Sequence, residues 1–156
     1  MKQSDDSMPV LRMILTTMII PISLAIVVAA PSYSADESTS LCNIQHGSCI
    51  KNMGDGMIIE FDIQPKPVAS MTESQFVVTL SRNGIPITDA SVHLDLSMPD
   101  MYMGKNQPAM NHIKAGRYEG KSIITRCASG RKTWQADVFV GSAGKTAVAT
   151  IVFEVK

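Results

Sequence analysis

A surplus of either charge is missing from this chain, which carries 14 basic and 14 acidic residues for a formal net charge of zero. Lys2, Arg12, Asp5 and Asp6 fall near the N-terminus, so the remainder balances as well. Nucleic-acid binding rests on clustered positive charge, and with no basic stripe in the sequence no nucleic acid is expected as a partner. Aromatic residues make up only 5 %, with a single tryptophan, Trp134. A lone large aromatic in a chain this size is read as a core residue packed between layers. Signatures of catalysis are absent too. There is no Gly-x-Ser-x-Gly, no His-Glu-x-x-His and no carboxylate pair beside a plausible base, so the chain is not expected to be an enzyme. With three cysteines but no Cys-x-x-Cys pair, thioredoxin-type exchange is not expected. No internal repeat, low-complexity tract or amphipathic helix follows the N-terminal stretch.

Long apolar runs are confined to the beginning. Lys2 and Arg12 precede an apolar stretch from Met13 to Ala30, interrupted by Pro21. The small-residue segment Ala30-Pro31-Ser32-Tyr33-Ser34-Ala35 follows, then Asp36-Glu37-Ser38. A charged start, an apolar middle and small residues before a polar segment read as a secretory signal, with Ser32 and Ser34 at the −3 and −1 positions. The competing reading is an uncleaved membrane-anchoring helix, for which the apolar stretch is just long enough. Both place the rest outside the cytoplasm, in the periplasm or an equivalent extracytoplasmic space, secreted or anchored. The expected organisation is therefore a leader over 1–35, a cysteine-containing segment over 36–56 and a folded domain over 57–156.

Past the leader, short runs alternate with turn residues. Met57 to Ile63, Gln75 to Leu80, Ser91 to Ser97, Arg117 to Thr125, Thr133 to Val140 and Thr146 to Val155 each read as strands. Val92, Leu94 and Leu96 share one face, opposite His93, Asp95 and Ser97. Trp134, Ala136, Val138 and Val140 share another. Asn83-Gly84, Lys114-Ala115-Gly116 and Gly141-Ser142-Ala143-Gly144 read as tight turns. Six to seven strands at this spacing predict an all-β, immunoglobulin-like β-sandwich.

One segment stands out chemically. Met98-Pro99-Asp100-Met101-Tyr102-Met103-Gly104 follows the Ser91 to Ser97 strand, and Met110-Asn111-His112 comes shortly after. Pro99, Gly104 and Pro108 rule out a regular helix and suit a shaped loop. Thioether sulfur is a soft, neutral donor that suits Cu(I) and offers little to hard cations. Unlike a thiolate it needs no deprotonation, and it cannot be consumed in a disulfide. Imidazole adds affinity for Cu(II). The competing role is packing, since methionine readily fills irregular gaps in a core.

Three cysteines allow at most one internal bridge and leave one thiol over. Cys42 and Cys49 enclose a polar loop and can pair. Alternatively, Cys127 pairs with one of them and ties the N-terminal segment to the sheet. Left free, Cys127 at a strand end can complete a soft metal site, with Arg126 favouring its thiolate, or it can be a buried, inert thiol.

The Met98-Pro99-Asp100-Met101-Tyr102-Met103-Gly104 loop, the Gly116-Arg117-Tyr118-Glu119-Gly120 strand start, and then Gly130 and Trp134 resemble the pattern of the YtkA-like domain, related to the FixH group. The resemblance spans roughly Pro65 to Val155. It implies an exported or membrane-attached β-sandwich, with relatives linked to cytochrome oxidase assembly and copper supply. Met98, Met101 and Met103 match the family's methionines, and Tyr118 and Trp134 its structural aromatics. Two departures are visible: Cys127 stands where many members carry a methionine before the glycine, and the Cys42 and Cys49 segment is additional.

The combined expectation is an exported metal-binding protein, a copper carrier or delivery module. Its candidate ligands are Met98, Met101, Met103, Met110, His112 and Cys127, and its partners are the metal ion and a membrane transporter or oxidase assembly protein. The alternative is an interaction module that docks such a partner without metal. For the leader, an intact mass of the exported protein is expected to correspond to a chain starting at Ala35. A mass that retains residues 1–34 would identify an anchor instead.

Overall fold

The computed structural model describes residues 40–156. The leader, read as signal peptide or anchor helix, lies outside the described residues, as does most of the polar tether behind it. Among the described residues no helix is long and apolar enough to cross a membrane.

The described chain is all β, with ten strands in two sheets. They are β1 (Leu41–Cys42), β2 (Cys49–Asn52), β3 (Met57–Gln64), β4 (Glu73–Arg82), β5 (Ile85–Pro86), β6 (Ser91–Ser97), β7 (Asn111–Lys114), β8 (Arg117–Ile123), β9 (Thr133–Ser142) and β10 (Lys145–Glu154). One sheet has the order β1-β10-β9-β6. The other runs β2-β3-β4-β8-β7, with β5 pairing onto β4. The strand total exceeds the expected six to seven because β1, β2, β5 and β7 are only two to four residues long. Their sequences show little alternation, and their pairing is decided by partners elsewhere in the chain.

The long strands form where apolar residues recur at every second position, because successive strand side chains point to opposite faces. Met57, Ile59, Phe61 and Ile63 of β3 are buried, as are Val92, Leu94 and Leu96 of β6 and Trp134, Ala136, Val138 and Val140 of β9. Ala149, Ile151 and Phe153 complete the inner face of β10. The rings of Phe61 and Phe153, from opposite sheets, lie 6.0 Å apart between centroids and mark the middle of the sandwich. Each fully buried Phe, Ile or Leu side chain contributes about 1.5–3 kcal/mol relative to an exposed one.

Connections follow local turn chemistry. Asn83-Gly84, Ala115-Gly116 and Ala143-Gly144 each carry two successive positive φ angles, as type I′ hairpin turns require. Gly116 is further constrained, since a Cβ there would meet the Leu80 carbonyl oxygen at 2.4 Å. Tyr118, fully covered, donates its hydroxyl to the Ile87 carbonyl and accepts from the Ala90 N–H, each at 3.1 Å, so the β5–β6 connection is held from inside.

The cysteine segment is woven into the sandwich. β1 pairs in parallel with β10, and β2 pairs antiparallel with β3. Cys42 and Cys49 form the disulfide, which leaves Cys127 free and resolves the pairing. Since Cys42 belongs to one sheet and Cys49 to the other, the bridge clips the two sheets together along one edge. The intervening loop is polar at its surface, but Ile44 is 0 % exposed and plugs the core. Gln45 bonds both the N–H and C=O of Val68, and Lys66 donates to the Ile44 carbonyl. Loop-closure entropy for so short a loop gives about 2–3 kcal/mol. Replacing both Cys42 and Cys49 with serine is expected to lower unfolding free energy by that amount, measured by urea titration, with the β circular-dichroism signature retained.

Candidate functional site

The site is assembled from two loops that leave different strands at one end of the sandwich. β6 and β9 are antiparallel neighbours with Ser97 opposite Gln135. Met98, the residue after Ser97, therefore emerges beside Trp134, where the chain enters β9. The second loop, residues 124–132, crosses from β8 in one sheet to β9 in the other and arrives at the same end.

Each loop is shaped by a tight turn. In Met98-Pro99-Asp100-Met101 the Met101 N–H donates to the Met98 carbonyl at 3.1 Å. Proline at the second position and Asp100 with φ of 61° at the third match a type II turn. The turn makes Met98 and Met101 facing bridge partners. In Cys127-Ala128-Ser129-Gly130 the Gly130 N–H donates to the Cys127 carbonyl at 3.0 Å, with glycine at the fourth position.

Two contacts join the loops. The Cys127 sulfur lies 3.9 Å from the Met101 sulfur. The Arg131 guanidinium donates to the Pro99 carbonyl at 3.3 Å, which anchors the methionine turn to the cysteine loop. Cys127 is covered, at 4 % exposure, and Met101 is half-buried against the core. Beside them opens a cavity of about 290 Å³, walled by Cys127, Arg126, Arg131, Lys132, Trp134 and Val155, among others. A second cavity of about 490 Å³ shares Thr125 and Trp134 with it and includes Met103.

The electrostatics favour ionised sulfur. The Ser129 hydroxyl lies 3.0 Å from the Cys127 sulfur. Together with the Ser129 backbone N–H it holds the thiol below its ordinary ionisation range, against a smaller opposing effect of desolvation. The Arg131 backbone N–H and charge act in the same direction. The arginine that favours the thiolate is thus Arg131, not Arg126, although both border the cavity.

The six candidate ligands are distributed unevenly. Met101 and Cys127 meet. Met98 adjoins them across the turn, but at 2 % exposure it is a core residue as well. Met103 is half-buried and lines the neighbouring cavity. Met110 and His112 sit elsewhere. The Met110 sulfur lies 2.7 Å from where a Cβ on Gly120 would be, so this side chain occupies the space the glycine leaves over β8. The His112 ring packs on Tyr118, with centroids 5.0 Å apart. Tyr118 is five residues before the end of β8, which sets His112 about 16 Å along the strand from the start of the cysteine loop. The cause is the path between β6 and β7. Residues 104–110 run along the β6 edge, where Leu96 N–H bonds the Asn106 carbonyl, and then cross to the other sheet. Among the described residues no group of three or more His, Cys, Asp and Glu side chains converges on a metal-sized site.

The surroundings of Cys127 also contain something the sequence did not suggest. Arg126, Arg131, Lys132 and Lys156 all border the cavity. Neutral composition hid this cluster, because Lys156 reaches it only through the sheet. Its carbonyl accepts from Ser70 and its N–H donates to Val68.

With the methionine turn, the Tyr118 strand and the buried Trp134 in place, the comparison with known proteins can be stated. Residues 57–126 match the YtkA-like family. The YtkA-like segment runs from β3 through the methionine turn and stops one residue before Cys127. No curated protein matches the chain. Among solved structures, the GAE domain of GGA2p from Saccharomyces cerevisiae is similar at 16 % identity over 70 % of this chain and 98 % of that one, with a TM-score of 0.32. A likeness of that grade carries no argument about fold or function.

The thiol's environment makes a testable statement. The Cys127 thiolate ultraviolet absorbance is expected to appear at lower pH than in the unfolded chain, and Ser129→Ala is expected to move it back up. Because the folded-state pKa is the lower one, this group stabilises the fold above the ordinary thiol pKa. The contribution disappears as pH falls through the folded value. A Ser129→Ala curve that superimposes on the wild type would remove the hydroxyl as the cause.

Proposed function

We propose that this YtkA-like chain is an exported copper-binding protein that carries Cu(I) on a soft sulfur pair, the Cys127 thiolate and the Met101 thioether. Met98 adjoins the pair across the turn, and Met103 lines the neighbouring cavity, as candidate further donors. The observation that carries this reading is the 3.9 Å contact between the two sulfurs, made across loops from different strands. Thiolate and thioether are the donor types that select Cu(I) over hard divalent ions. The depressed thiol pKa supports it further, because a thiol binds metal only after losing its proton. The Cys42–Cys49 disulfide is in keeping with an oxidising compartment outside the cytoplasm. In such a compartment the covered position of Cys127 protects the remaining thiol. The role is carriage or delivery, with no bond-making step on an organic substrate.

A second reading is supported by Tyr102, which lies between Met101 and Met103 and is 88 % exposed. An amphipathic aromatic at the tip of a loop suits docking to a membrane transporter or oxidase assembly partner. Carriage and docking are compatible, and the tip can present the metal to the protein that receives it.

The test is a Cu(I) titration of the exported, mature protein against a competing chelator. Cys127→Ser is expected to weaken binding by about a hundredfold and Met101→Leu by about tenfold, corresponding to roughly 2.8 and 1.4 kcal/mol. Leucine conserves the volume of methionine, so Met101→Leu is expected to cost less than about 1.5 kcal/mol of fold stability. Equal affinities in all three proteins, or no binding in any, would overturn the reading.

A further inference from the structure

Three large apolar side chains stand exposed at the end of the sandwich that carries the sulfur pair, and each comes from a different part of the chain. Tyr102 is 88 % exposed, Met71 62 % and Ile123 46 %. Met71 lies in the β3–β4 connection, where its N–H donates to the Ile124 carbonyl at 2.7 Å. Its φ of 62° is left-handed, a conformation uncommon outside glycine, and it leaves the apolar side chain in water. Ile123 is the last residue of β8, opposite Glu73. It walls the cavity of about 490 Å³ together with Met103, the neighbour of Tyr102.

Charge at this end is uneven. Lys121 pairs with Glu73 and Lys66 with Asp62, so these four cancel. What is left is Lys105, Arg126, Arg131, Lys132 and Lys156 against Asp100, Glu154 and the chain-terminal carboxylate of Lys156. Elsewhere in residues 40–156 six acidic side chains face five basic ones, so the positive excess lies here. Lys105, Arg126 and Lys132 are exposed, and among the described residues they make no ion pair.

Lysine is depleted from protein–protein interfaces, so apolar tips set among lysines match a protein partner poorly. The same combination suits the boundary of a bilayer. Apolar side chains enter it to a shallow depth, and basic ones are drawn to anionic headgroups. Tyrosine favours the headgroup level, and lysine and arginine can lay their stems on apolar surface while the charge stays in water. We infer that this end of the sandwich docks on an anionic lipid surface, with Met71, Tyr102 and Ile123 entering it and Lys105, Arg126 and Lys132 facing the headgroups. The docking reading above gave Tyr102 a protein partner; here the surface it meets is lipid. Because Tyr102 adjoins Met101, docking also brings the sulfur pair to the membrane.

The test is flotation of the exported, mature protein, free of metal, with vesicles of phosphatidylcholine alone or of equimolar phosphatidylcholine and phosphatidylglycerol. Binding is expected only to the anionic vesicles, and added salt is expected to weaken it. Changing both Lys105→Gln and Lys132→Gln is expected to weaken binding by about thirtyfold, and Tyr102→Ser by about tenfold. A fluorescence readout fixes the docked face. Tyr102→Trp is expected to shift its emission to the blue on binding, whereas Ile85→Trp is not. Ile85 is 70 % exposed and pairs with the far end of β4, about 30 Å away along the strand. Trp134 is buried and supplies a constant background. No binding to either vesicle, equal binding to both, or the same shift in Ile85→Trp as in Tyr102→Trp would overturn the inference. The first of these outcomes leaves a protein partner for Tyr102, and none of them bears on the copper titration.

Discussion

The contact between the Cys127 thiol and the Met101 thioether joins two loops that are far apart in the chain and leave strands of different sheets. The metal-carrying reading depends on it. The contact exists because β6 and β9 are neighbours in a fixed register, which delivers Met98 and Trp134 to one end of the sandwich. It persists because a type II turn presents Met101 and because Arg131 ties that turn to the cysteine loop. Separate the loops and what remains is a buried methionine, a covered thiol and two cavities with no shared chemistry.

The scaffold beneath is conventional in its energetics. Alternating apolar residues from both sheets fill one continuous core, and tight hairpins set the strand lengths. The disulfide then clips the two sheets together where β1 and β2 form their edges. Such a scaffold suits a site built on loops, because the strands that anchor those loops have their inner faces buried in the core. Soft donors and positive charge sit side by side at this end. The Ser129 hydroxyl and N–H, and more weakly Arg131, favour the thiolate there.

Much of this was legible in the sequence, and what was not has definite physical causes. The Ser91 to Ser97 strand and the inner face of Thr133 to Val140 are visible because alternation is a local signal, and both appear as read. The short strands β1, β2 and β7 were hidden, since they are polar or brief and exist only through distant partners. Leu41, for example, lies against Val152. Ile44 looked like part of a polar loop and is in the core. Met98, Met101, Met103 and Cys127 were singled out in the sequence as candidate ligands, and of these Met101 and Cys127 are the pair whose sulfurs meet. Met110 and His112 shared the same stretch of sequence, yet the chain crosses to the other sheet before reaching His112. That Arg126, Arg131, Lys132 and Lys156 border one cavity could not be read from sequence, because Arg126 and Lys156 come together only once β8, β9 and β10 are folded.

The most direct measurement is an X-ray absorption spectrum at the copper edge, taken on the chain loaded with a substoichiometric amount of Cu(I). The account predicts a first shell made of sulfur alone, which loses its shortest scatterer in Cys127→Ser and loses a further sulfur in Met101→Leu. A shell dominated by nitrogen or oxygen, or a sulfur shell indifferent to both substitutions, would contradict it.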